Sequence, residues 1–140
     1  MIQEKAYAKV NLFLNLLDKR SDGYHNLEMF NAKLNLYDLL TFEKIVSSKE
    51  IIIESNDLFL TKNENIIGQI AKYILERYKI NFGIKIVIDK QIPVGAGLAG
   101  NSADCAALIK GMNRLFALGL TEKEMVDIGL LFGADIPYCL

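Results

Sequence analysis

Asp89 to Phe116 reads DKQIPVGAGLAGNSADCAALIKGMNRLF, and the fold turns on how that stretch divides. Its first half crowds Gly95, Gly97 and Gly100 together. Its second half repeats Cys105, Leu108, Ile109, Met112, Leu115 and Phe116 at spacings of three and four. That period makes one apolar stripe on a helix, which should start around Gly100, Asn101 or Ser102. A helix start leaves backbone N–H groups unpaired and bears a partial positive charge. Glycines let the backbone approach a ligand closely. A glycine loop opening into a helix is therefore suited to an anion, and phosphate is the usual occupant. The same pattern also describes a Gly-rich turn capping a core helix, and the loop alone does not choose between the two.

Spacing separates the known phosphate loops. A Walker A loop needs Gly, four residues, then Gly-Lys-Ser/Thr, and no Lys follows Gly100. The dinucleotide pattern G-x-G-x-x-G is matched by Gly95, Gly97 and Gly100, but its context is missing. Pro93 and the polar Asp89–Gln91 stand between the preceding strand and the glycines, and a helix rather than an acid-bearing strand follows. A third pattern, P-x-x-x-G-L-x-x-x-S, is met by Pro93, Gly97, Leu98 and Ser102. The stretch IPVGAGLAGNSADCAA closely resembles the phosphate loop of the GHMP kinases, in the form carried by the kinases of 4-diphosphocytidyl-2-C-methyl-D-erythritol.

Composition narrows the classes. The chain has 140 residues, 51% hydrophobic, with a formal net charge of -1. That suits one domain with a buried core. Nearly balanced charge gives no nucleic-acid patch. Cys105 and Cys139 lie in apolar segments and read as buried thiols of a reducing, cytoplasmic compartment. His25 is the only histidine, so no zinc cluster is expected. No signal sequence and no run long enough to span a bilayer is seen. The expectation is a cytoplasmic protein with no metal site of its own side chains.

Along the chain, residues 2–17 read as a strand. Val10, Leu12, Leu14 and Leu16 alternate with Lys9, Asn11, Phe13 and Asn15, which sets Lys9 and Asn11 on one face and the aliphatics on the other. Lys9 and Asn11 fit a solvated face or a polar ligand. Asp18–Gly23 is a turn by composition, and Tyr24 and His25 follow it. Strands are expected at about 27–35, 38–46 and 50–54. A helix over 63–78 has the stripe Ile66, Ile67, Ile70, Ala71, Ile74 and Tyr78, capped by Asn63 or Asn65. Residues 83–89 alternate as a strand. Thr121 and Glu124 form a capping box for a helix over 122–132. Asp135, before Ile136 and Pro137, is by default a turn residue.

Six segments resemble the GHMP kinases in order: 8–14, 20–25, 36–42, 65–67, 92–107 and 133–140. By that resemblance the fold is α+β, with a mixed sheet packed on helices, like the second domain of ribosomal protein S5. Residues 1–140 would be the family's N-terminal, ATP-binding domain, without the second domain that completes the site in relatives. The resemblance implies ATP-dependent phosphorylation of the 2-hydroxyl of a cytidine diphosphate methylerythritol, in non-mevalonate isoprenoid synthesis. Lys9 and Asp135 would be catalytic. Pro93, Val94, Gly95, Ala96, Gly97, Leu98, Ala99, Gly100, Asn101, Ser102 and Ala103 would hold the phosphates, with Asn65 near the adenine. Asn11, Tyr24 and His25 would bind the substrate, its base stacked on the Tyr24 ring. Mg²⁺ would bridge the phosphates.

Three departures qualify this picture. Tyr7 stands where the family usually has proline. Asn101 stands where its loop has glycine; Asn tolerates left-handed backbone well enough for the loop to survive, but its side chain is expected to crowd a phosphate and weaken nucleotide binding modestly. The apolar end, IPYCL, is expected to lack its cover, so that the chain is poorly active alone and self-associates, with a homodimer through that face as one expected form. The alternatives are another GHMP small-molecule kinase and a non-catalytic nucleotide-binding domain.

Overall fold

A computed structural model describes residues 1–23, 25–61 and 65–140, leaving aside the side chains of residues 13, 14, 25, 27 and 29–31. The described elements are strands β1 (Ile2–Lys19), β2 (His25–Ile45) and β3 (Ile51–Ser55), helix α1 (Ile66–Arg77), strand β4 (Gly83–Asp89), and helices α2 (Gly100–Leu115) and α3 (Glu122–Phe132). Single 3-10 turns occupy Leu58–Thr61 and Ile136–Cys139. The four strands form one sheet in the order β1-β2-β4-β3. β3 runs parallel to β4 and the other pairs are antiparallel. A parallel pair needs a long crossover, and α1 supplies it. The architecture is the expected α+β.

Periodicity decides what is buried. Ile84, Ile86 and Ile88 of β4 alternate inward and meet Leu40 and Phe42 of β2. The stripe of α2 is buried at Cys105, Leu108, Ile109 and Met112, and that of α1 at Ile67, Ile70, Ala71 and Ile74. α2 packs on β1 and β2. Asn65 caps α1, accepting from the Gly68 N–H at 2.8 Å. Thr121 and Glu124 close the expected capping box on α3. Asn63 lies outside the described residues.

Two expectations about the strands fail. Residues 27–35 and 38–46 belong to one strand, because β1 pairs with β2 from Ile2↔Phe42 to Lys19↔His25. Register shifts absorb the twist, and no Gly or Pro between Leu27 and Ile45 interrupts the run. The aliphatic face of β1 is also wrong. Leu12 and Leu16 are exposed, while Ala6 and Ala8 face the core. Of β2, β4 pairs with Leu39–Ile45. The outer half of the β1–β2 ribbon therefore runs past β4, and Leu12, Leu16 and Leu17 are exposed there. A register shift between Tyr7 and Lys9 breaks the alternation, so Ala8 and Lys9 are both buried.

α2 lies very close to the sheet at Gly111, where an added Cβ would come within 2.2 Å of Phe42 Cε2. Phe42 is fully buried and cannot swing outward. Gly111→Ala should therefore destabilise the fold by about 1–3 kcal/mol through overpacking. A urea midpoint unchanged from wild type would show that the ring has room to move.

Candidate functional site

The loop from Gln91 to Ala99 leaves β4 and enters α2 through three left-handed residues, Gly95 (φ 75°), Gly97 (φ 71°) and Ala99 (φ 56°). Glycine adopts this region freely and alanine does not. Ala99 is the N-cap and has no side chain to satisfy the first turn of α2. The loop and the first turn of α2 border a hollow of about 200 Å³, lined by Lys90 and residues 92–102. Asn101 lies in the first helical turn and not among the left-handed residues. Asn101 makes no use of its tolerance for left-handed backbone; the left-handed non-glycine residue of the loop is Ala99.

β1 passes beside this loop. The Lys9 N–H donates to the Leu98 carbonyl at 3.0 Å, which ties the strand to the loop. Lys9 itself is only 6% exposed. Its Nζ lies 4.0 Å from Asp135 Oδ1 and 5.0 Å from the Tyr138 ring centre. A cation so placed gains from both the carboxylate and the ring face. Asp135 is exposed, on the turn before Ile136, whose side chain is buried and anchors the segment. Lys110 of α2 donates to the Leu140 carbonyl at 2.5 Å and holds the same segment from below. Ser102 and Gly133 line a small shared hollow, so the loop and the Asp135 segment border one cleft.

Other expected site residues are placed less closely. Asn11 is exposed on β1, two residues from Lys9. The reading of Lys9 and Asn11 as one face therefore splits into a buried cation and a solvated amide. Asn65 is occupied as the cap of α1 and as donor to the Leu60 carbonyl. Tyr24 and the His25 side chain lie outside the described residues. A hollow of about 610 Å³ lies at the far end of α1 beside Lys49, Leu75 and Phe82, away from these groups.

Three charged residues escaped the sequence reading. Asp38 of β2 is fully buried, and its Oδ1 accepts from the N–H groups of Gln91 (2.5 Å) and Ile92 (2.8 Å). Its Oδ2 accepts from Lys90 Nζ at 2.5 Å. Lys90 Nζ also donates to Asp104 Oδ2 of α2 at 2.7 Å. Burial works against the Lys90 charge, but the Asp104 and Asp38 carboxylates outweigh it and hold its pKa above the usual lysine value. The visible signal was an Asp inside an apolar strand run, LNLYDLL, where a charge persists only if paired.

Comparison with known proteins bears on this cleft. Residues 65–140 match the family model described as the GHMP kinases N terminal domain. The chain belongs to the GHMP kinase family. It is 48% identical to the 4-diphosphocytidyl-2-C-methyl-D-erythritol kinase of Enterococcus faecalis, over 99% of this chain and 49% of that protein. It is 43% identical to the kinase of the same name from Caldicellulosiruptor saccharolyticus, over 97% of this chain and 47% of the relative. The chain thus spans about half the length of the curated relatives it matches. A crystal structure of 4-(cytidine 5'-diphospho)-2C-methyl-D-erythritol kinase superposes with TM-score 0.79 at 32% identity, covering 99% of this chain and 48% of that one. The L. major mevalonate kinase, in complex with R-mevalonate, superposes at TM-score 0.66 and 15% identity, covering 92% of this chain and 40% of that one, a likeness of fold alone. Among the described residues no helix could cross a membrane, and no cluster of His, Cys, Asp or Glu is placed to hold a metal ion.

Asp38 accepts both N–H groups that start the GHMP loop, and it shares the Lys90 ammonium. Asp38→Ala should cost about 3–5 kcal/mol, since it strands buried partners. Chemical denaturation checks this, and a loss below about 1 kcal/mol would mean the loop entry is held by other means.

Proposed function

We propose that this chain is the nucleotide-binding half of an ATP-dependent small-molecule kinase, acting on the 2-hydroxyl of 4-diphosphocytidyl-2-C-methyl-D-erythritol. The observation that carries the reading is the approach of Lys9 Nζ to Asp135 Oδ1, at 4.0 Å, beside a loop of free N–H groups. The named relatives and the superposed kinase support the substrate.

Phosphoryl transfer asks mainly for positioning and charge neutralisation. The N–H groups of Gly97 to Ser102 and the dipole of α2 would hold the ATP phosphates. The loop from Pro93 to Ala103 would wrap them, and Asn65 would place α1 near the adenine. Asp135 would orient the substrate hydroxyl and take its proton as the hydroxyl oxygen bonds to the γ-phosphorus and ADP leaves. Lys9 would keep Asp135 ionised and balance charge growing on the transferring group. Asn11, Tyr24 and His25 would hold the cytidine diphosphate end. The donor set fits Mg²⁺, which needs few protein ligands where phosphates and waters serve: the Ser102 hydroxyl is the group that would reach it. When bound, the ion would neutralise phosphate charge.

In relatives a second domain with a further glycine-rich signature would complete the cleft. Exposed Leu130, Leu131 and Tyr138 flank the Asp135 segment. They support a covered face there, by that domain or by a second copy of the chain in a homodimer, which light scattering would distinguish. The free thiols Cys105 and Cys139 fit a cytoplasmic setting.

The deciding experiment is an ADP-release assay on the intact gene product, with the cytidine diphosphate substrate compared against mevalonate and homoserine. Asp135→Asn should lower turnover by about 10²–10⁴-fold while nucleotide affinity holds. Turnover near wild type would remove Asp135 from the mechanism. Turnover of mevalonate in preference to the cytidine compound would reassign the substrate.

A further inference from the structure

The Lys9 ammonium sits in the cleft with few directed contacts. Its side chain is only 7% exposed, yet its Nζ lies 4.0 Å from Asp135 Oδ1, an ion pair too long for a hydrogen bond. The Asp135 side chain is 63% exposed, so solvent weakens its pull. A long side chain with one loose partner is free to take several rotamers. The other group placed against this ammonium is the Tyr138 ring, whose centre lies 5.0 Å from Nζ. That distance is inside the range where a ring face attracts a cation.

The ring is itself held. Tyr138 lies on the 3-10 turn Ile136–Cys139. On one side of it, Ile136 is buried against Gly129 of α3, where an added Cβ would come within 2.9 Å of Ile136 Cγ2. Pro137 has its own φ fixed by its ring. On the other side, Lys110 Nζ of α2 donates to the carbonyls of Cys139 at 3.4 Å and Leu140 at 2.5 Å. Two helices thus pin the turn before and after Tyr138. Burial holds the Cys139 thiol above its usual pKa, so no thiolate competes with the ring for Lys9. Tyr138 is half-exposed, so one side of it meets Lys9 while the rest stays open to whatever covers this face.

A ring face and a carboxylate hold an ammonium differently. A hydrogen-bonded carboxylate takes up N–H donors in fixed directions. A ring face attracts the charge through its quadrupole and offers no lone pair. An ammonium placed this way keeps its three N–H groups for an incoming oxygen. We propose that Tyr138 is a positioning residue for Lys9: its ring face fixes the ammonium in the cleft and leaves the N–H donors for the phosphoryl group in transfer. The inference rests on the kinase reading above. Lys9 then acts chiefly as charge grows on the transferring group, so losing the ring lowers kcat and leaves KM nearly unchanged. The Tyr138 hydroxyl has no part in this role.

The test uses the intact gene product with the cytidine diphosphate substrate. Tyr138→Leu keeps an apolar side chain and removes the ring, and its kcat should fall about 5- to 30-fold with KM within about twofold of wild type. Tyr138→Phe keeps the ring face without the hydroxyl and should restore kcat to within about twofold of wild type. Equal losses in the two variants, or a change in KM alone, overturn the proposal, because the hydroxyl or a substrate contact is then at work. A kcat for Tyr138→Leu within about twofold of wild type overturns it too. A second measurement needs neither substrate nor turnover. In ¹³C-lysine-labelled protein, the ring current should move the Lys9 Hε resonances upfield, and Tyr138→Leu should return them. Unshifted Lys9 resonances in the wild type overturn the proposal alone. If the shift is present but the cytidine compound is not phosphorylated, the kinase reading has failed, and the role of the ring in turnover with it.

Discussion

An ammonium buried between two carboxylates has to be held from every side, and Lys90 is held by three parts of the fold. Asp38 brings β2, Asp104 brings α2, and Lys90 follows directly from β4. The same Asp38 accepts the N–H groups of Gln91 and Ile92, which would otherwise be lost to the ladder as β4 ends. One buried cluster therefore fixes where the strand stops, the direction in which the loop departs, and where the helix begins. The glycines can then be permissive without leaving the loop loose. Buried ion clusters are weak sources of net stability. What this one provides is geometry, because each member is unpaired in any other arrangement.

The remaining geometry depends on how closely backbones approach. Ala6 and Ala8 face inward where α2 crosses β1, and Gly111 admits the Phe42 ring. Small residues at these points let the helix lie flat on the sheet, so that its N-terminus reaches the Lys9 strand. Lys9 then bonds through its backbone to Leu98 and through its side chain approaches Asp135. The strand, the loop and the far end of the chain meet at one lysine, whose stem is buried and whose charge faces a solvated carboxylate.

Local physics wrote the helices plainly into the sequence. The stripe of α2, the Asn65 cap and the Thr121–Glu124 box each lie within a few residues, and each is found where its pattern placed it. The strands were harder. The long β2 was divided because length priors favour short strands, although nothing between Leu36 and Asp38 breaks it. Alternation set Leu12 and Leu16 on the face opposite Lys9 and Asn11, but alternation names a face and not whether anything covers it. Coverage depends on where β4 ends, which is set by pairing with a segment distant in sequence.

The site divides along the same line. The glycine loop was legible because its residues are contiguous and its chemistry is that of the backbone. The resemblance of the segments around Lys9 and Asp135 named both, and the fold sets their side chains 4.0 Å apart across most of the chain's length. Asp104 carried no such signal, and Asp38 only that of an acid inside an apolar strand run. Each looks like an ordinary acid, and only the meeting of residues separated by 52 and 14 positions from Lys90 makes them a unit. Ala99 is a related case. Its left-handed backbone is unfavourable in isolation, yet the bond from Lys9 to Leu98 and the start of α2 on either side hold it there. Ala99 has no polar side chain to cap the first turn of α2, so the left-handed entry and the uncapped helix start fall on the same residue.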